Sequence, residues 1–137
     1  MKYLLDTNVI SELKRPQPNP QVLNWFETVN HEFLYLSVLT LGEIRKGIEK
    51  LPESQRKNKL RYWLDKELPN WFGKRLLPIN IEIALAWGGL QAQMNRPLPA
   101  IDSLLAATAL HHDLCLVTRN TKDFIYPNLI VINPWEG

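Results

Sequence analysis

Cysteine, long apolar runs and charge of one sign are all scarce in this chain, and each scarcity excludes a class of protein. A single cysteine, Cys115, among 137 residues cannot close an internal disulfide, so the fold rests on its core, as suits a reducing compartment. No apolar run approaches the length of a membrane span, and Asp6 interrupts Met1-Lys2-Tyr3-Leu4-Leu5 before it can serve as a signal-peptide core. A cytoplasmic protein with no membrane role is expected. Sixteen Lys plus Arg against fourteen Asp plus Glu leave a net charge of +2, too small to mark a nucleic-acid binder by itself, so any basic surface must be local.

What is present is the composition of an ordinary globular protein, with 45% hydrophobic and 22% charged residues. A chain of this length buries about two-thirds of its unfolded surface, so one domain over 1–137 with one real core is expected. Five tryptophans, at 25, 63, 71, 87 and 135, together with Tyr62 and Phe72, are more than such a core hides, which predicts a contact with another chain.

Strands and helices alternate along the sequence. Tyr3-Leu4-Leu5 is an apolar run that only a strand uses fully, and Asp6-Thr7-Asn8 then starts a helix through Val9, Ile10 and Leu13. Pro16, Pro18 and Pro20 stop it in a stiff loop. Val22, Leu23, Phe26 and Val29 form a second helix, 33–37 a strand, and Leu41, Ile44, Ile48 and Leu51 a third helix, which Pro52 breaks. A charged helix over 55–68 and a strand over 75–79 follow, then a long amphipathic helix with Ile83, Trp87, Leu90 and Met94 on its core face. Arg96-Pro97-Leu98-Pro99 turns into a helix whose core face is Ile101, Leu104, Leu105, Thr108 and His112. The run 114–117 reads as a central strand, Asp123-Phe124 as a short helical turn and 129–132 as a last strand. This order predicts an α/β fold with a mainly parallel sheet between helices, and right-handed crossovers gather the strand C-termini at one edge.

Asp6, Glu43 and Asp123 arise just after strands or at helix starts on that edge, and Asp102 lies in the first turn of the helix leading to the central strand. Each acid alone is explained as a helix cap, worth about 1 kcal/mol, or as a first-turn acid facing the helix dipole. Four carboxylates brought together repel one another and need a cation to stay ionised. Oxygen ligation points to Mg²⁺ or Mn²⁺, since no Cys and His cluster exists for zinc; His111 and His112 are adjacent, project about 100° apart, and better suit a helix C-terminus. Carboxylate-held metals suit phosphodiester hydrolysis, where they activate water and stabilise attacking and leaving oxygens.

Four blocks carry a resemblance: Leu4-Leu5-Asp6-Thr7-Asn8-Val9-Ile10-Ser11, Leu41-Gly42-Glu43-Ile44-Arg45-Lys46-Gly47-Ile48, Asp102-Ser103-Leu104-Leu105-Ala106-Ala107-Thr108-Ala109 and Thr118-Arg119-Asn120-Thr121-Lys122-Asp123-Phe124. Together, in this order and over nearly the whole chain, they resemble PIN domains, and more narrowly the VapC and FitB toxins of bacterial toxin-antitoxin pairs. The resemblance implies a three-layer α/β/α fold, Mg²⁺- or Mn²⁺-dependent cleavage of RNA, a homodimer, and a cognate antitoxin through which alone operator DNA is reached. It maps the family's carboxylates onto Asp6, Glu43, Asp102 and Asp123, and its polar position onto Thr118 and Asn120. On this reading Asp6 and Asp102 ligate the metal directly, Glu43 and Asp123 directly or through metal-bound water, and Thr118 and Asn120 orient those waters or the carboxylates. Asn8 and Ser11 are explained equally well as helix-start residues. Arg45, Lys46 and Arg119 are candidates for the substrate backbone, the first two lying within a turn of Glu43.

Other classes fit less well. A haloacid-dehalogenase-type phosphatase needs a second acid where Asn8 stands, and a receiver-type module needs an acidic doublet that is missing. A non-catalytic PIN-like module that binds RNA or a protein is the alternative. The dense Lys and Arg between 45 and 66 read either as a phosphate-binding patch or as a solvated face laced with i,i+4 ion pairs.

Overall fold

Tyr3–Leu5 forms β1 in the middle of a five-stranded sheet, and every strand pairing in that sheet is parallel. The structure is a computed structural model that describes residues 1–136; Gly137, the last residue of the expected domain, lies outside the described residues. The other strands are β2 (Leu34–Ser37), β3 (Leu76–Leu77), β4 (Cys115–Val117) and β5 (Val131–Ile132), in the spatial order β3-β2-β1-β4-β5. The chain builds outward from β1 to β2 and β3 on one side, then crosses back to place β4 against the other side of β1. The register is Leu5 beside Val117 and Tyr3 beside Leu34.

Alternation along the strands divides the core into two layers. Leu4 and Leu116 point to one face, with Leu90 of α6 (Ile81–Gln93) and Leu105, Ala106 and Ala109 of α7 (Ala100–His111). Leu5, Leu34, Leu36 and Val117 point to the other. That second face is covered by α1 (Thr7–Leu13), α2 (Pro20–Thr28), α3 (Val38–Glu49), α4 (Gln55–Tyr62) and α5 (Leu68–Phe72). Helices on both faces of a parallel sheet make the expected three-layer α/β/α sandwich. No helix among the described residues is long and apolar enough to cross a membrane.

Several boundaries depart from the sequence reading for local reasons. Pro20 opens α2 rather than prolonging the loop, because Asn19 caps the helix by accepting from the N–H groups of Gln21 and Val22 and a proline in the first turn forfeits no helical bond. The charged helix runs on past 68: α4 widens into a π turn over Trp63–Glu67 and continues as α5 to Phe72, the wide turn absorbing Pro69, which has no N–H to offer. The third strand shortens to Leu76–Leu77, because Arg75 sits in a tight turn and donates to the carbonyls of His31, Leu34 and Trp71 while Pro78 cannot donate. Ile101, expected in the core, is 39% exposed, and Ser103 is buried in its stead. The Ser103 hydroxyl accepts from the Trp87 indole N–H at 2.8 Å and donates to the Pro99 carbonyl at 2.6 Å, which makes a serine acceptable between α6 and α7. Cys115 is buried in β4, and burial pushes its thiol up to about 11, so it packs as a small hydrophobe.

Candidate active site

Asp6 stands where β1 ends beside β4. Its N–H donates to the Val117 carbonyl at 2.9 Å, so the ladder reaches one residue beyond the strand before the chain turns into α1. Its two carboxylate oxygens then separate in function. Oδ1 caps α1 by accepting from the Thr7 N–H at 2.8 Å, while Oδ2 accepts from the Thr118 hydroxyl at 2.7 Å and the Asn8 amide at 3.4 Å. The cap and the site, rival readings in sequence, are carried by one side chain. Asp6 is 7% exposed, and that burial pushes its carboxyl above the ordinary 3.8. Hydrogen bonds from Thr118 and Thr7 work against the shift, and the charge of Glu43 works with it.

Thr118 follows β4 directly and is fully buried. Its hydroxyl donates to Asp6 and accepts from the Asn8 amide at 3.2 Å and the Asn120 N–H at 3.1 Å, which uses its one proton and both lone pairs. Asn8 completes the joint: its Oδ1 accepts from the Arg119 N–H at 3.2 Å. Asn120, expected to orient metal-bound waters or the carboxylates, contributes its main-chain N–H to this joint. These bonds knit the ends of β1 and β4 at the point where the strand order reverses, which is where open α/β sheets bind ligands.

The other acids converge on this joint from three further elements. Glu43 projects from α3 and accepts from the Thr7 hydroxyl at 2.6 Å. Asp102 lies in the first turn of α7 and Asp123 in the tight turn Thr121–Asp123 after β4. Burial raises the Asp102 carboxyl above its ordinary value, and the charges of Asp6, Asp123 and Glu43 raise it further, so all four acids act on one region. Among the described residues no three Asp, Glu, His or Cys side chains are drawn together closely enough to hold a metal ion as they stand. The donors are nonetheless hard oxygens with no Lys or Arg paired to Asp6, Glu43, Asp102 or Asp123 in the described residues. That leaves negative charge for a cation to balance. An oxygen-ligated divalent ion that retains part of its water shell fits such an open set.

A family model described as PIN domain matches residues 3–126. The chain belongs to the PIN domain family. It is similar to toxin FitB of Neisseria gonorrhoeae, 37% identical over 136 residues that span 97% of this chain and 98% of that protein. It is similar also to VapC ribonuclease Y4jK of Sinorhizobium fredii, 35% identical over 136 residues and 97% of each chain. Its fold matches a chain in the structure of FitAB bound to an IR36 DNA fragment with a TM-score of 0.86 and 35% identity, covering 97% of this chain and 95% of that one.

Around the acids of this PIN domain the basic residues divide. Arg45 bonds Asp65, brought alongside by the turn after α4, and Glu49 at 3.5 Å, so a substrate contact requires it to leave these partners. Lys46 is exposed, and Arg119 lies over the Trp135 ring at 5.3 Å. Part of the dense basic stretch is taken up in further ion pairs, Arg61 with Glu49 at 2.9 Å and Lys57 with Glu53 at 3.0 Å. Ser11 is exposed and, with Thr7 and Glu43, lines a groove that runs from the acids past Lys14 and Trp63. The groove continues over an apolar floor of Ile10, Leu13, Leu68 and Phe72, walled by Phe26, Trp63 and Trp71. Trp71 is 42% exposed there, which accounts for part of the surplus of tryptophan.

Proposed function

We propose that this PIN domain is a divalent-metal-dependent endoribonuclease, the toxin of a toxin-antitoxin pair, acting as a single nuclease unit in the cytoplasm. The observation that carries the reading is the convergence of Asp6, Glu43, Asp102 and Asp123 on the β1/β4 switch point, with Asp102 raised by burial and further by the charges of the other three. Names among the relatives support it, since one is a toxin and another a ribonuclease.

Asp6, Glu43, Asp102 and Asp123 would hold Mg²⁺ or Mn²⁺. The bound ion supplies a Lewis acid that lowers the pKa of water and offsets charge building on the phosphodiester. Thr118 fixes the Asp6 carboxylate through its donated hydrogen bond, and Asn8 and the Asn120 N–H fix Thr118. Lys46 and Arg119 bind the phosphate backbone, and Arg45 joins them by exchanging Asp65 and Glu49 for phosphate. The apolar groove between α1, α2 and α5 takes an amphipathic segment of the antitoxin, which alone links the toxin to operator DNA; the DNA-bound FitAB relative supports that arrangement. Ile81 and Leu85, 75% and 72% exposed on the outer side of α6, make the contact of a homodimer.

The test is cleavage of a structured RNA under single-turnover conditions. Mn²⁺ or Mg²⁺ should support cutting and EDTA should stop it, with the protein dimeric by light scattering at the assay concentration. Asp102→Asn should cut at least about 100-fold more slowly. RNA bound but left whole by the wild type in either metal would favour the non-catalytic module.

A further inference from the structure

Thr7 touches two of the four acids at once. Its N–H donates to Asp6 Oδ1 at 2.8 Å and its hydroxyl to Glu43 Oε1 at 2.6 Å, across 36 residues of chain. Glu43 is exposed on α3, and among the described residues no other hydrogen bond or ion pair reaches its carboxylate. A glutamate on a helix surface has three rotatable bonds and is left free by α3 itself. Asp6, by contrast, is buried and held from three directions. The element that fixes Glu43 relative to Asp6 is therefore one hydroxyl, on a residue that is itself pinned at the start of α1.

We propose that Thr7 is a positioning residue that sets the Glu43 carboxylate against Asp6, so that the two acids present one face to the divalent cation. This rests on the nuclease reading above. A charge-assisted O–H···O⁻ bond of this length is among the stronger neutral-to-ionic contacts, and partners of metal-binding carboxylates commonly carry weight comparable to the ligands they orient. Threonine suits the task because its methyl group limits its own rotation, so the hydroxyl it presents is already aimed.

Thr7→Val keeps the shape and the N–H on Asp6 and removes only the donor. Calorimetric titration of the metal-free protein with Mn²⁺, beside single-turnover cleavage, should show roughly 10–100-fold weaker binding or slower cutting for Thr7→Val. Thr7→Ser, which keeps the donor, should stay within about threefold of wild type. In a Glu43→Ala background Thr7→Val should add nothing further, because the carboxylate it holds is gone. Wild-type metal affinity and rate in Thr7→Val, or an equal loss with and without Glu43, overturns the assignment of Thr7 while the nuclease reading stands. A wild-type protein that neither binds Mn²⁺ nor cuts RNA overturns both.

Discussion

Asp6 and Asp102 are both held above the ordinary carboxylate value of 3.8, burial being the leading cause for each. A carboxyl raised in the folded state binds its proton more tightly there than in the unfolded chain, so its charged form opposes folding. That cost is absent below the unfolded value and grows as pH rises through the raised native one. Asp102→Asn removes it without altering shape. In EDTA the variant should melt about 2–5 °C above wild type at pH 7, with the difference closing as pH falls toward 4; melting curves across that range check it, and a gain independent of pH would reject the cost of the buried, mutually repelling charge as its cause. These acids were legible in sequence because each follows a strand or opens a helix, a local signal. The bonds of Thr7 to Glu43 and of Asn8 to Thr118 were not, since they reach across 36 and 110 residues, and both side chains have a sufficient local explanation as helix-start residues.

Lys57 shows the same limit for an element. In sequence it is one cation in a charged helix; in the fold it is 5% exposed, and its ammonium donates to the carbonyls of Glu49 at 3.3 Å and Leu51 at 2.8 Å and to Glu53 at 3.0 Å. It closes the C-terminal end of α3, where the dipole and the unpaired carbonyls favour a cation. Lys57→Met should therefore cost about 2–3 kcal/mol, because buried acceptors lose their donor. Arg61→Ala, breaking exposed pairs, should cost less than about 1 kcal/mol. Urea unfolding of the two variants distinguishes them, and equal losses would mean that Lys57 is an ordinary surface charge. Since α3 carries Glu43, Lys57 bears on the site only by keeping that helix whole. Apolar periodicity found most helices because side-chain spacing is local. It missed the π turn before Pro69 and the replacement of Ile101 by Ser103 in the core, since both depend on what packs alongside.

In the whole molecule, the order β3-β2-β1-β4-β5 is what makes a site from residues 6, 43, 102 and 123. The reversal of strand order beside β1 leaves the ends of β1 and β4 adjacent, and α3 and α7 bring two further acids to that edge. Alternation of strands and helices predicted the parallel sheet, but not which strands neighbour β1, because strand order is set by crossovers and not by local pattern. The central claim is that the four acids form one cation site, and the direct measurement is the melting temperature of the metal-free protein titrated with Mn²⁺. Binding to the native state alone stabilises it by about 2.7 kcal/mol when the ion is at 100 times its dissociation constant. Wild type should therefore rise by several degrees at millimolar Mn²⁺, and Asp6→Asn and Asp102→Asn should lose most of that rise while remaining folded. A wild-type protein that does not shift, or variants that shift as much as wild type, would contradict a shared site.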